Sequence, residues 1–238
     1  QFSFIATAAN GPVLQSSGDL RFFGDTTGIL VDSLSLMFED HQFALERPTT
    51  VRVEPGRMTI DSVVLTGPGA QRLAFAADLP DAAPMRARLG VTALPLGDLA
   101  QVMQWPVPLG GELTASLDVA GTREAPVMRG MATVNGVSVG GVTVTRVSMD
   151  AGYAGHRVTC TAAVTQADTT VLTVVANVPY DLALVSRGDR RLDDSMRVTV
   201  RSPEVDLRLL ESFTPAVRNA SGIFSANIDL AGPRRSAE

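Results

Sequence analysis

The sequence predicts an all-β protein: an elongated, mostly antiparallel sheet built from tandem repeats, with one or two short helices. Three observations predict it. Apolar and polar residues alternate with a period of two through most of the chain, the pattern of antiparallel strands with one face out of water and one in it. Pairs that supply positive φ, Asn10-Gly11, Asn135-Gly136 and Gly140-Gly141, punctuate the alternation where tight hairpins would turn. A strand-like segment is also written twice: Gly111-Glu-Leu-Thr-Ala-Ser-Leu-Asp-Val-Ala-Gly121 returns as Gly222-Ile-Phe-Ser-Ala-Asn-Ile-Asp-Leu-Ala-Gly232, both ends displaced by the same 111 residues. Self-similarity at a fixed period signals stacked units.

In chain order the alternation places strands at 2–8, 18–23, 34–38, 42–46, 50–54 and 57–66; Gly67-Pro-Gly69 breaks the run before a strand at 71–78. The strand at 85–92 carries Met85, Ala87, Leu89 and Val91 on one face. After it, Leu96 to Met103 changes to helical spacing for about two turns. The strand at 111–120 sets Leu113, Ala115, Leu117 and Val119 against Glu112, Thr114, Ser116 and Asp118. Strands follow at 127–135, 137–150, 156–165, 169–178 and 181–186. The strand at 195–202 aligns Met196, Val198 and Val200, a second helical stretch runs from Asp206 to Phe213, and 222–231 aligns Phe224, Ala226, Ile228 and Leu230. These four apolar runs, Val91 apart, are the candidate lining of a binding surface.

The repeat is larger than its strand. Met85-Arg86 pairs with Met196-Arg197, Leu96 with Leu207 and Leu99 with Leu210, all at the same displacement. Each unit reads strand, short helix, Pro-containing connection, Gly-started strand and Gly-ended break. The chain is read as one continuous repeat region, with 1–11 ending a preceding unit and with units at 12–121 and 122–232. Gln1 is not followed by a charged segment and an apolar core, and no run approaches the roughly 20 apolar residues of a membrane span. The expectation is an excised fragment whose targeting and anchoring segments, if any, lie outside it.

Composition excludes several classes of chemistry. All 20 basic residues are arginine, which removes Walker A loops, Schiff-base lysines and Ser-Lys dyads. A net charge of -5 with scattered arginines argues against nucleic acid, which needs a basic stripe. Cys160 is the only cysteine; no intrachain disulfide can form, and its alternating surroundings mark it as a small apolar residue. Two histidines, His41 and His156, and one cysteine do not make a His/Cys zinc site.

Two sharper motifs are outweighed by their context. Gly136-Val-Ser-Val-Gly140 with Asp150 and His156 has the order of a nucleophile elbow and its partners, but the elbow requires a helix directly after Ser138, and the chain there alternates like a strand. Asp189, Asp193 and Asp194 lack the spacing of a calcium loop and read as a solvated turn. Asn219-Ala-Ser221 is a formal glycosylation acceptor of little weight, and Trp105 between the short helix and the next strand reads as a cap on the sheet end. The chain is expected not to be an enzyme and to need no cofactor.

Several segments, in their order and spacing, carry a family likeness: Leu94-Pro-Leu-Gly-Asp-Leu99, the Gly111 to Gly121 strand, Thr122-Arg-Glu-Ala-Pro-Val-Met-Arg-Gly130, and Phe43-Ala-Leu-Glu-Arg-Pro48 leading into Gly56 to Gly67. Together they resemble the β-repeat region of the TamB/AsmA-like family over most of the chain. The resemblance implies a U-shaped sheet, the β-taco, with an apolar inner groove that takes phospholipid acyl chains. It implies a periplasmic segment of a larger protein anchored in the bacterial inner membrane, moving phospholipid between the two membranes and serving outer-membrane biogenesis and protein assembly or secretion. An Omp85-type outer-membrane barrel is the implied partner, met by regions outside this fragment. The rival expectation is a structural or adhesive β-repeat protein whose apolar faces close into lipid-free sandwiches. Alternation leaves the two open, because it records that a face avoids water and not what covers it.

Overall fold

A computed structural model describes residues 1–7, 13–38, 41–102, 108–139, 142–166, 168–185, 190, 192–206 and 221–233. Fifteen strands and one short helix occupy them: β1 (Phe2–Thr7), β2 (Val13–Phe23), β3 (Thr26–Phe38), β4 (His41–Leu45), β5 (Thr49–Glu54), β6 (Arg57–Thr66), β7 (Arg72–Pro80), β8 (Met85–Pro95), α1 (Leu96–Val102), β9 (Leu109–Gly121), β10 (Pro126–Val139), β11 (Val142–Ala154), β12 (Arg157–Gln166), β13 (Thr169–Pro179), β14 (Ser195–Asp206) and β15 (Ile223–Pro233). All fifteen strands belong to one sheet, and every pairing is antiparallel. Sheet order follows chain order except between β3 and β6, where β4 and β5 share one place across a bend at Glu46–Pro48. The predicted all-β, elongated architecture is what forms.

The turns show why consecutive strands meet. Gly155 and His156 both take positive φ, 56° and 60°, the geometry of a two-residue turn whose twist matches the strands it joins. Gly24 and Gly56, at φ 58° and 75°, serve the β2–β3 and β5–β6 connections. Short connections of this kind leave the chain no route but the adjacent antiparallel place.

The repeat in sequence is also a repeat in pairing. Met85, Ala87, Leu89 and Val91 of β8 face Gly121, Val119, Leu117 and Ala115 of β9; Met196, Val198, Val200 and Ser202 of β14 face Gly232, Leu230, Ile228 and Ala226 of β15. The interruption recurs too. The register slips by one residue between Val91 and Leu94, and between Ser202 and Val205. Such bulges bend a strand; others lie in β6, between Ile60 and Val63, and in β10, between Asn135 and Ser138.

Three expectations are corrected. Asn135-Gly136 is not a hairpin: β10 continues through it to Val139, and Gly136, at φ 61°, is the extra residue of the bulge against β9. Residues 181–185 form no strand, since β13 pairs directly with β14. Strands β2 and β3 are far longer than 18–23 and 34–38, because each pairs along most of the other's length. Of the helices, α1 lies where expected, while 207–213 falls outside the described residues, as do Trp105, Asn219, Asn10-Gly11 and Gly140-Gly141.

Candidate functional site

Directly opposed residues in an antiparallel pair share a face, so the register assembles the apolar surface strand by strand. One row runs Val63, Phe75, Leu89, Leu117, Gly130, Ala151, Cys160, Ala176, Val198, Leu230 from β6 to β15. The next row starts at β4 and runs Leu45, Leu65, Leu73, Val91, Ala115, Ala132, Met149, Ala162, Val174, Val200, Ile228. On the other side, Ile60, Ala77, Ala87, Val119, Met128, Tyr153, Val158 and Val178 align from β6 to β13. No charged side chain enters any of these rows. Cys160 is half-buried among alanines within the first of them.

The predicted lining residues are gathered by this register. Ala87, Leu89, Leu113, Ala115, Leu117 and Val119 stand on the one face of β8 and β9, and Val198, Val200, Ala226, Ile228 and Leu230 on the same face of β14 and β15. Phe224 stands opposite Val205, and Met196 opposite Gly232, in backbone register. Met85 differs: facing Gly121, it is 1% exposed and lies in the packed end of the sheet rather than on its open surface.

That surface is open. Leu117 is 36% exposed, Ile228 47% and Leu230 49%, although a strand's apolar face is ordinarily covered. Substantial contacts between strands run between sheet neighbours, and among the described residues no second sheet lies over the face. The accessible surface of 14749 Å² compares with roughly 10,000 Å² for a compact chain of this mass. Between β9 and β12 the face sinks into a hollow of about 280 Å³, walled by Leu117, Met128, Met149, Tyr153 and Val158, floored by Gly130, Ala132 and Ala151, and overhung by Leu182.

The opposite face is polar and internally paired. Arg57 grips Asp78 through Nε and Nη2, both at 2.8 Å, and Arg88 Nε lies 3.0 Å from Asp118 Oδ1. The Arg57 hydrogen bond holds the Asp78 carboxyl below its ordinary range, against a smaller opposing effect of desolvation. In the second copy Thr199 takes the place of Arg88 and its hydroxyl donates to Asp229 at 2.7 Å. The two faces therefore differ: one is cross-linked by charge and carries only scattered apolar residues such as Met131 and Val175, the other is laid out in continuous apolar rows.

Residues with sharper chemistry are dispersed. Ser138 faces Thr143, Asp150 faces Thr161 several residues further along β11, and His156 Nδ1 lies 3.3 Å from Asp181 Oδ1. These three do not converge. Asp194 is held by Arg157 Nη1 and by the Ser195 N–H, both at 2.7 Å, and His41 Nδ1 lies 3.1 Å from Asp98 of α1. Among the described residues no group of three or more His, Cys, Asp or Glu side chains is placed to hold a metal ion.

The strands between the repeated pairs contribute most of the hollow, and the alternation alone did not single them out. In β10 both alternations carry apolar residues, Met128 opposite Val119 and Tyr153 on the open surface and Val127 and Met131 on the other, with Met131 also bordering the hollow, so period two does not say which face is which. Leu182 reaches the site from outside the sheet, a placement no periodicity encodes. Compared with protein-family models, with curated proteins and with solved structures, the chain finds no match in any of the three.

Proposed function

We propose that this chain is a segment of a bridge-like lipid-transfer protein, its open apolar face conducting phospholipid acyl chains between two membranes. One observation carries the reading: apolar rows cross about ten strands without a charged residue, on a face that no second sheet covers among the described residues. Neighbouring strands lie about 4.8 Å apart, so such a row extends over roughly 45 Å. Each methylene kept from water is worth about 0.8 kcal/mol, and because consecutive rows offer similar surfaces, a chain can shift along them without crossing a polar barrier. Head groups stay wet at the margin. The resemblance to the TamB/AsmA-like family supplies the setting: the periplasm, an inner-membrane anchor elsewhere in the protein, an Omp85-type barrel as partner, and a role in outer-membrane biogenesis.

Native mass spectrometry of the purified chain tests this. Reproducible co-purified phospholipid is expected, and Leu117→Arg and Ile228→Arg should each abolish it while the β-type circular dichroism persists, since both positions are exposed enough for a guanidinium to reach water. Lipid-free protein that excludes an apolar dye, together with unfolding of both variants, would instead establish the adhesive β-repeat with a closed core.

A further inference from the structure

Beyond an isolated β-bridge at Tyr180, the segment Asp181–Val185 lies across one end of the apolar face instead of joining the sheet. The pairing of β13 with β14 copies that of β7 with β8: Ala77 with Ala87 and Asp78 with Arg86 correspond to Ala176 with Val198 and Asn177 with Arg197. Yet β7 and β8 are joined by the short turn Asp81–Pro84, and β13 and β14 by Tyr180–Asp194. The longer connection is extra chain grown from an otherwise repeated strand pair. It reaches back over its neighbours through single hydrogen bonds: the Tyr180 N–H donates to the His156 carbonyl (2.9 Å), the Leu184 N–H to the Arg123 carbonyl (2.7 Å) and the Leu182 N–H to Tyr153 Oη (2.9 Å). Asp181, 4% exposed, fixes the bend by accepting from the Ala183 N–H at 2.9 Å, with His156 Nδ1 at 3.3 Å. Arg190 braces it, accepting from the Asp181 N–H and donating to the Ala183 carbonyl.

We propose that this strap is a displaceable internal occupant of the lipid surface, with Leu182 filling by default the place over the hollow that a passing acyl chain takes. The inference rests on the lipid reading above. Two features carry it. The strap is tied down by separate polar contacts, not by a strand ladder, and the sheet beneath is complete without it because β13 and β14 pair directly. Leu182 overhangs a hollow whose other walls are apolar, so leaving exposes a surface that a lipid covers equally well.

The test uses cis-parinaric acid as the acyl probe on three proteins: the parent chain, Tyr153→Phe, and a chain in which Tyr180–Asp194 is replaced by the Asp-Ala-Ala-Pro turn of residues 81–84. If the strap covers the hollow about nine-tenths of the time, the shortened chain binds about tenfold more tightly than the parent, and Tyr153→Phe, which keeps the whole strap, shifts the same way by a smaller factor. Saturating probe should also speed hydrogen exchange at the Leu182 and Leu184 amides of the parent. Equal affinity in all three, or amides that exchange more slowly with probe bound, would make the strap a fixed wall and overturn the proposal. Binding by none of them removes the lipid reading itself, and the strap's role with it.

Discussion

Gly121 shows how much of this fold is decided by single backbone positions. Its φ is 89°, and a Cβ placed there would meet the Ala125 carbonyl oxygen at 2.6 Å; a side chain would be strained both by its own dihedral and by the turn into β10. Gly232, at φ 144°, closes the matching strand of the second copy, which is why both repeats end in glycine. Gly121→Ala should therefore cost about 1–3 kcal/mol, read as a lower urea midpoint. Gly90 is the contrast, with no positive φ and its nearest neighbour 3.9 Å away at Ala74, so Gly90→Ala should leave the midpoint nearly unchanged. The glycines were visible in the sequence; which of them bear strain was not, because strain depends on the carbonyl that the next turn brings alongside.

At the scale of an element, β10 separates what alternation encodes from what pairing decides. Val127 and Met131 are as apolar as Met128, and the strand read alone has two candidate faces. Register resolves it: Met131 stands opposite Ser116 and Asp150 on the charged side, while Met128 stands opposite Val119 and Tyr153 on the open apolar side. Val127→Lys should change stability by no more than about 0.5 kcal/mol and leave apolar-dye binding intact, whereas Met128→Lys should sharply reduce dye binding. Equal effects of the two substitutions would reverse the assignment of faces. The same strand explains the misread hairpin at Asn135-Gly136, since a positive-φ glycine serves a bulge as readily as a turn, and only the partner strand shows which one forms.

For the molecule at large the governing fact is that, among the described residues, no part of the sheet folds back over another. A compact chain of this length would have a radius of gyration of about 18 Å, whereas a path of fourteen hydrogen-bonded strands at about 4.8 Å each spans roughly 60 Å. Small-angle scattering should return a radius above 20 Å, with a largest dimension of at least about 60 Å. A value near that of a compact chain would mean that the apolar face closes upon itself in solution, and the conduit reading would fall. Among the described residues β1 and β15 are the two edges of the sheet.

Most of the strands, their antiparallel order and the repeat were legible in the sequence, because period two, glycine turns and a fixed displacement are local or self-referential signals that need no knowledge of neighbours. That the Leu113 to Val119 and Ile228 to Leu230 runs each keep one apolar face was legible for the same reason. Tertiary structure alone decided that the rows of about ten strands fall into line, that Met85 belongs to a packed end, that 181–185 leaves the sheet, and that among the described residues no second sheet covers the apolar face. Each of these depends on which residue stands opposite which, and a single register step exchanges the two faces of a strand. Alternation fixes that a face avoids water; pairing determines whether those faces join into one surface and what lies across it.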